Sequence, residues 1–182
     1  MANQTQQTSH HSGVLLNEYQ LRLTIRRLAL QLTEEDTEDL HNDVVYIGLQ
    51  PRGIFISDAI VKAIEQEGKR KVSYGKLDIT FYRDDVYREI HKANQTEISF
   101  SVENKIVVLI DDVLHTGRTV RAALDALQAF GRPRVVKLCV LVNRSFGREV
   151  PVQPDYSGIT IDTLPNQKVK VQPDKNQVIL YT

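Results

Sequence analysis

Residues 107–119, VVLIDDVLHTGRT, constrain this chain more than any other stretch of it. The apolar run 106–110 predicts a strand buried on both faces. Two adjacent carboxylates, Asp111 and Asp112, close it. A short turn holding Thr116, Gly117 and Thr119 then opens a helix, where Val120, Leu124 and Leu127 recur at helical spacing. Such a turn offers backbone N–H groups and two hydroxyls at a helix N-terminus, a ready anion cradle. Carboxylates beside that cradle suit a ligand with a phosphate on one side and hydroxyls or a cation on the other. A sugar phosphate answers to both.

The rest of the chain fits a small enzyme. Its 182 residues suffice for one domain with a sizeable core. Twenty-three basic and twenty-three acidic side chains cancel, so no global positive field draws in nucleic acid or anionic membrane. The single Cys139 lies in an apolar run, reads as a buried small hydrophobe, and excludes an intrachain disulfide. No window reaches transmembrane length and the N-terminus lacks an apolar signal core, so the expectation is a cytoplasmic protein. Residues 1–13, MANQTQQTSHHSG, have almost nothing to bury and are expected to form a disordered or loosely docked tail ahead of a domain over 14–182. His10 and His11 in that tail read as solvated.

Elsewhere helices and strands alternate. Asn17 with Gln20 makes a near capping box ahead of a helix carrying Leu21, Ile25, Leu28 and Leu32 on one face. Residues 44–49 form a strand and 54–67 a helix with Ile56, Ile60 and Ile64, stopped by Gly68. Strands follow over 72–82 and 134–142, with short β segments near 159–163 and 178–181. Residues 83–104 are polar and too long for an ordinary connection. Alternation of this kind predicts a parallel sheet with helices on both faces and ligands at the carboxyl ends of its strands.

The motif at 107–119 closely resembles the signature of type I phosphoribosyltransferases: hydrophobic strand, acidic pair, then T-G-x-T. Asp78 to Asp85, DITFYRDD, together with TGRTVRAALDAL and Gly131-Arg132-Pro133, resembles one branch in particular. That branch is the pyrimidine operon attenuation family, whose members are also uracil phosphoribosyltransferases. The likeness extends over nearly the whole chain from Val14. It implies a central parallel sheet flanked by helices, with a small hood and a flexible lid loop. It also implies transfer of ribose 5-phosphate from phosphoribosyl pyrophosphate to a nucleobase, with uracil giving UMP. Receiver domains also carry an acidic pair after a strand, but at their first strand and without a T-G-R-T cradle.

The resemblance assigns roles to residues. Arg52 and Gly53, in the loop Gln50-Pro51-Arg52-Gly53, would meet the pyrophosphate, the Arg by charge-assisted contacts and the Gly by close backbone approach. Thr116, Gly117, Arg118 and Thr119 would hold the 5-phosphate. Asp111 and Asp112 would hold the ribose hydroxyls and stabilise charge near C1. Mg²⁺ would be held mainly by substrate oxygens and water, with no firm protein ligand. Arg83, Asp84 and Asp85 open the expected lid. His115 either exchanges a proton with the base or is a loop residue facing solvent. Asn143 and Arg144 would contact the base, in a loop where the family has Asp instead of Asn143 and one residue fewer near Phe146.

Two further departures bear on RNA. Leu30 replaces a His on the family's RNA-facing helix, and Ile159-Thr160 replaces Lys-Asn. Arg22, Arg26 and Arg27 remain as candidates for phosphate contact, so RNA binding is expected to be weak and the enzyme reading stronger. The alternatives are a UMP-responsive RNA-binding regulator with little catalysis, or a transferase for another base. A homo-oligomer is implied by the resemblance alone.

Overall fold

The computed structural model describes residues 12–34, 43–82 and 95–182. Five parallel strands form its centre: β2 (Val44–Gln50), β3 (Ser73–Asp78), β4 (Ile106–Leu114), β5 (Val135–Arg144) and β6 (Tyr156–Ile161), in the order β3-β2-β4-β5-β6. Two helices, α1 (Glu18–Glu34) and α2 (Ile54–Gly68), cover one face. They bury Leu21, Leu28, Leu32, Ile56, Ile60 and Ile64 against Tyr46, Val108, Ile110 and Leu141. The other face packs Val120, Ala123, Ala126 and Leu127 of α3 (Arg118–Leu127) against Ile47, Leu109 and Val140. The expected parallel sheet with helices on both faces is what forms. Leu124, counted on the apolar face of α3, is 38% exposed, and small alanines make that contact instead.

Local chemistry explains where the elements begin and end. The capping box at α1 is reciprocal: Gln20 N–H donates to Asn17 Oδ1 at 2.9 Å and Asn17 N–H to Gln20 Oε1 at 3.0 Å. At the end of α2 the left-handed residue is Lys69, with φ 50°, rather than Gly68. β3 stops at Asp78, short of the expected Tyr82, because its carboxylate accepts both Thr80 N–H (2.9 Å) and Thr80 Oγ1–H (2.6 Å). That bond pattern competes with the ladder and turns residues 80–82 into a 3₁₀ helix. β6 begins earlier than expected, at Tyr156, where Asp155 Oδ2 accepts Leu138 N–H at 2.7 Å. Gly158 within it has no room for a side chain: a Cβ would lie 2.4 Å from Leu141 O and 2.7 Å from Thr24 of α1.

The expected small hood is a second sheet. β1 (Ser12–Leu16), β8 (Gln177–Tyr181) and β7 (Lys168–Gln172) pair antiparallel in the order β1-β8-β7, and β8 answers to the strand expected near 178–181. Ser12 and Gly13, assigned to the tail, are thus strand residues, while residues 1–11 lie outside the described part. So do Arg83, Asp84 and Asp85, with the rest of 83–94. The second half of the expected lid is fixed. Glu97 exchanges backbone hydrogen bonds with Lys76 on the outer edge of β3, Val102 is fully buried, and Asn104 N–H donates to Arg132 O. No helix among the described residues is long and apolar enough to cross a membrane.

Candidate active site

The acidic pair does not end its strand. β4 runs on to Leu114, with Asp111, Val113 and Leu114 in register with Val140, Val142 and Asn143 of β5. Pairing with β2 ends at Gly48–Ile110, four residues earlier. In this half-paired stretch the carboxylates take up backbone donors: Asp112 N–H donates to Asp111 Oδ1 (2.9 Å) and Val113 N–H to Asp112 Oδ1 (2.7 Å). Gly53 closes the gap left by β2. Its N–H donates to Leu49 O, and a Cβ there would lie 2.7 Å from Leu49 O, 2.9 Å from Ile110 O and 3.0 Å from Asp111 Oδ1. Glycine is required at that position by close approach, since its φ is an ordinary −71°.

Asp111 is 5% exposed. Burial pushes its carboxyl well above the usual range and the Asp112 charge adds to this, against relief from the Asp112 N–H and Arg52. Asp112 is also raised by burial, less so because the Val113 N–H, Asp111 and Arg52 favour its charged form. Asp112 faces a cleft of about 410 Å³ with Pro51, Arg52 and Phe55 on one wall and Val169, Lys170 and Val171 of β7 on the other. Lys170 lines this cleft and is not singled out by the sequence motifs.

The turn after β4 is held from beneath. Thr116 O accepts the N–H groups of Glu149 and Val150 at 2.9 and 3.0 Å, and Thr116 Oγ1 is 3.4 Å from Arg118 N. Gly117 has φ 88°, and a Cβ would meet Val152 Cγ2 at 2.7 Å, so both conformation and space demand glycine. The first helical bond of α3 runs from Arg121 N–H to Gly117 O, which leaves the N–H groups ahead of it outside the helix's own ladder. Arg118 pairs with Glu149. Thr116, Gly117, Arg118 and Thr119 therefore form one compact turn at the carboxyl end of β4, beside the acidic pair.

A second cavity of about 410 Å³ opens beside Thr116, lined by His115, Arg144, Phe146, Gly147, Glu149 and Thr163 among others. His115 is half-buried there; burial, then Arg144 and Arg148, lower its pKa, against Glu149. Asn143 and Arg144 separate. Successive residues of a strand point to opposite faces. Arg144 enters the His115 cavity, whereas Asn143 lines a different one of about 660 Å³ with Ser145, Pro151 and Ser157 and bonds to Arg148. Asn143 and Arg144, expected to contact one base together, thus line different cavities.

A phosphoribosyl transferase domain model matches residues 13–176. The chain belongs to the phosphoribosyl transferase family. Within it the chain is a member of the PyrR group: it is 44% identical over 158 residues to "Bifunctional protein PyrR" of Gloeothece citriformis, covering 86% of this chain and 88% of the relative. The corresponding protein of Picosynechococcus is 43% identical with the same coverage. A hypoxanthine phosphoribosyltransferase of Staphylococcus aureus shares the fold, with a TM-score of 0.68 over 91% of this chain and 90% of that one at 21% identity.

The buried acidic pair makes a double prediction for Asp111→Asn. A carboxyl whose folded pKa is raised favours folding at low pH and loses that contribution as pH rises through the raised value. At neutral pH the amide removes this penalty. The melting temperature should rise, while turnover falls. Calorimetry with an activity assay checks both; a destabilised variant would contradict the electrostatic account.

Proposed function

We propose that this chain transfers ribose 5-phosphate from phosphoribosyl pyrophosphate to uracil, giving UMP and pyrophosphate. The observation that carries the proposal is the placement of Asp111 and Asp112 between Arg52 and the Thr116–Thr119 turn, with a base-sized cavity adjoining. In that arrangement Thr116, Gly117, Arg118 and Thr119 bind the 5-phosphate, and the acidic pair takes the ribose hydroxyls. The C1–oxygen bond to pyrophosphate breaks as N1 of uracil bonds C1, and the N1 proton is lost to solvent. Two nearby carboxylates stabilise the positive charge developing on the sugar, and Arg52 and Lys170 stabilise the departing pyrophosphate. His115 offers a hydrogen bond to the edge of the base.

No three His, Cys, Asp or Glu side chains converge on one point among the described residues. Asp112, half-buried in the cleft, fits an outer contact to a hydrated Mg²⁺ carried by the substrate. When bound, that ion neutralises pyrophosphate charge. Uracil is the base that the family resemblance implies, and a cytoplasmic location suits the single buried Cys139. A homo-oligomer is supported by the exposed Tyr19, Leu23 and Leu30 along α1. Pyrophosphate release in the presence of Mg²⁺ tests the base: uracil should exceed hypoxanthine and guanine at least roughly tenfold in kcat/KM, about 1.4 kcal/mol in transition-state binding. Faster turnover of a purine would overturn the assignment.

RNA recognition we propose to be weak. Arg26 pairs with Glu67 at 2.7 Å, and Arg27 donates to the carbonyls of Ser157 and Gly158. Arg22 stacks over Tyr19 at 5.5 Å. Leu30 is 39% exposed where the family has His. Binding through the remaining charge should be salt-sensitive and indifferent to sequence. A gel shift should show equal affinity for a pyrimidine leader hairpin and a scrambled hairpin of equal length; tight, UMP-enhanced preference for the leader would restore the regulatory reading.

A further inference from the structure

The loop that places Arg52 is tied to the molecule by a side chain at its first residue. Pro51 has no N–H to donate, and both Pro51 and Arg52 are exposed. On the inner side the loop is closed by its own backbone, Gly53 N–H donating to Leu49 O at 2.9 Å. On the outer side Gln50, the half-buried last residue of β2, reaches across: its Nε2 donates to Gln95 O at 2.8 Å. Gln50 stands in register with Asp78, the last residue of β3, so the bond forms where both strands end.

The acceptor belongs to a fixed strap. Glu97 and Lys76 exchange backbone hydrogen bonds at 2.8 and 2.9 Å, and Asp78 N–H donates to Thr96 Oγ1 at 3.1 Å. Gly75 lets the strap lie directly on the sheet, since a Cβ there would meet Glu97 O at 2.8 Å and Ile98 Cγ1 at 3.1 Å. Ile98 and Phe100 pack against the core, and Val102 is fully buried. Gln95 O is therefore an anchor for the loop. Arg52 lies two residues beyond the tie and, with Pro51 and Phe55, forms the cleft wall that faces Lys170. The Thr116–Thr119 turn has a separate support, the N–H groups of Glu149 and Val150 on Thr116 O. An exposed arginine on a loosened loop must be ordered when its ligand arrives, and affinity falls by that cost.

We infer that Gln50 is a positioning residue for the pyrophosphate end of the site: by holding the Arg52 loop to the 95–97 strap, it sets the affinity for pyrophosphate and leaves that for the sugar phosphate alone. The inference rests on the transferase reading given above. Gln50 acts through Arg52 and touches no reacting atom.

Calorimetric titration of the full chain with pyrophosphate and Mg²⁺, and separately with ribose 5-phosphate, tests it. Gln50→Met keeps the length of the side chain and removes the donor; Gln50→Ala removes both. Each should weaken pyrophosphate binding by about fivefold, the worth of one intramolecular hydrogen bond, with ribose 5-phosphate binding unchanged. In turnover each should raise the KM for phosphoribosyl pyrophosphate and leave the KM for uracil at saturating donor as it was. The wild-type chain gives a second readout that no folding defect can spoil. Coupling is reciprocal, so pyrophosphate should slow solvent exchange of the Gln50 side-chain amide protons, and ribose 5-phosphate should not. Equal losses for both ligands, no loss for either, or amide exchange indifferent to pyrophosphate would overturn the inference and leave the transferase reading standing. A wild-type chain that binds neither ligand overturns both.

Discussion

A carboxylate held out of water at the open end of a parallel strand is the constraint around which this molecule is arranged. Asp111 can be buried because backbone N–H groups and Arg52 partly compensate it, and because Gly53 leaves it space. The arrangement requires the pairing of β2 with β4 to end at Gly48, while β2 continues beside β3 and β4 beside β5. The resulting step between neighbouring strands is the cleft. In the proposed reaction, desolvation that is unfavourable in the free protein would make the pair respond to a sugar carrying hydroxyls and developing positive charge.

The two proposed subsites share one scaffold. Loop residues 148–150 hold the Thr116–Thr119 turn through Thr116 O and, by way of Arg148, the carbonyls of Leu114 and His115. A shift in this loop, which also lines the cavity beside His115, would therefore move that turn. The hood sheet supplies the opposite wall through Val169 to Val171, so the two ends of the chain meet over the site formed by its middle.

What could be read from the sequence was local chemistry. The strand, acidic pair, turn and helix at 106–127 lie within one stretch, and each part signals itself by residue type. The Asn17–Gln20 box does the same. The resemblance implies a hood, but its strand pairing is not legible because β1 pairs with β8 from the far end of the chain, and short strands of mixed polarity carry no pattern that names a distant partner. Lys170 was missed with it. Asn143 and Arg144 read as a loop in the sequence, but β5 extends through Arg144, so strand alternation separates them. The fixing of residues 95–104 depends on the unpaired edge of β3, which exists only once the sheet is assembled.

The most direct test of the central claim is a titration of isotopically labelled protein with ribose 5-phosphate, following backbone amide resonances. Large, saturable shifts should appear at Thr116, Gly117, Arg118, Thr119 and Asp112, and they should be lost in Gly117→Ala, where φ 88° and Val152 leave no place for a side chain. Shifts that leave this turn untouched and gather elsewhere on the molecule would contradict the account.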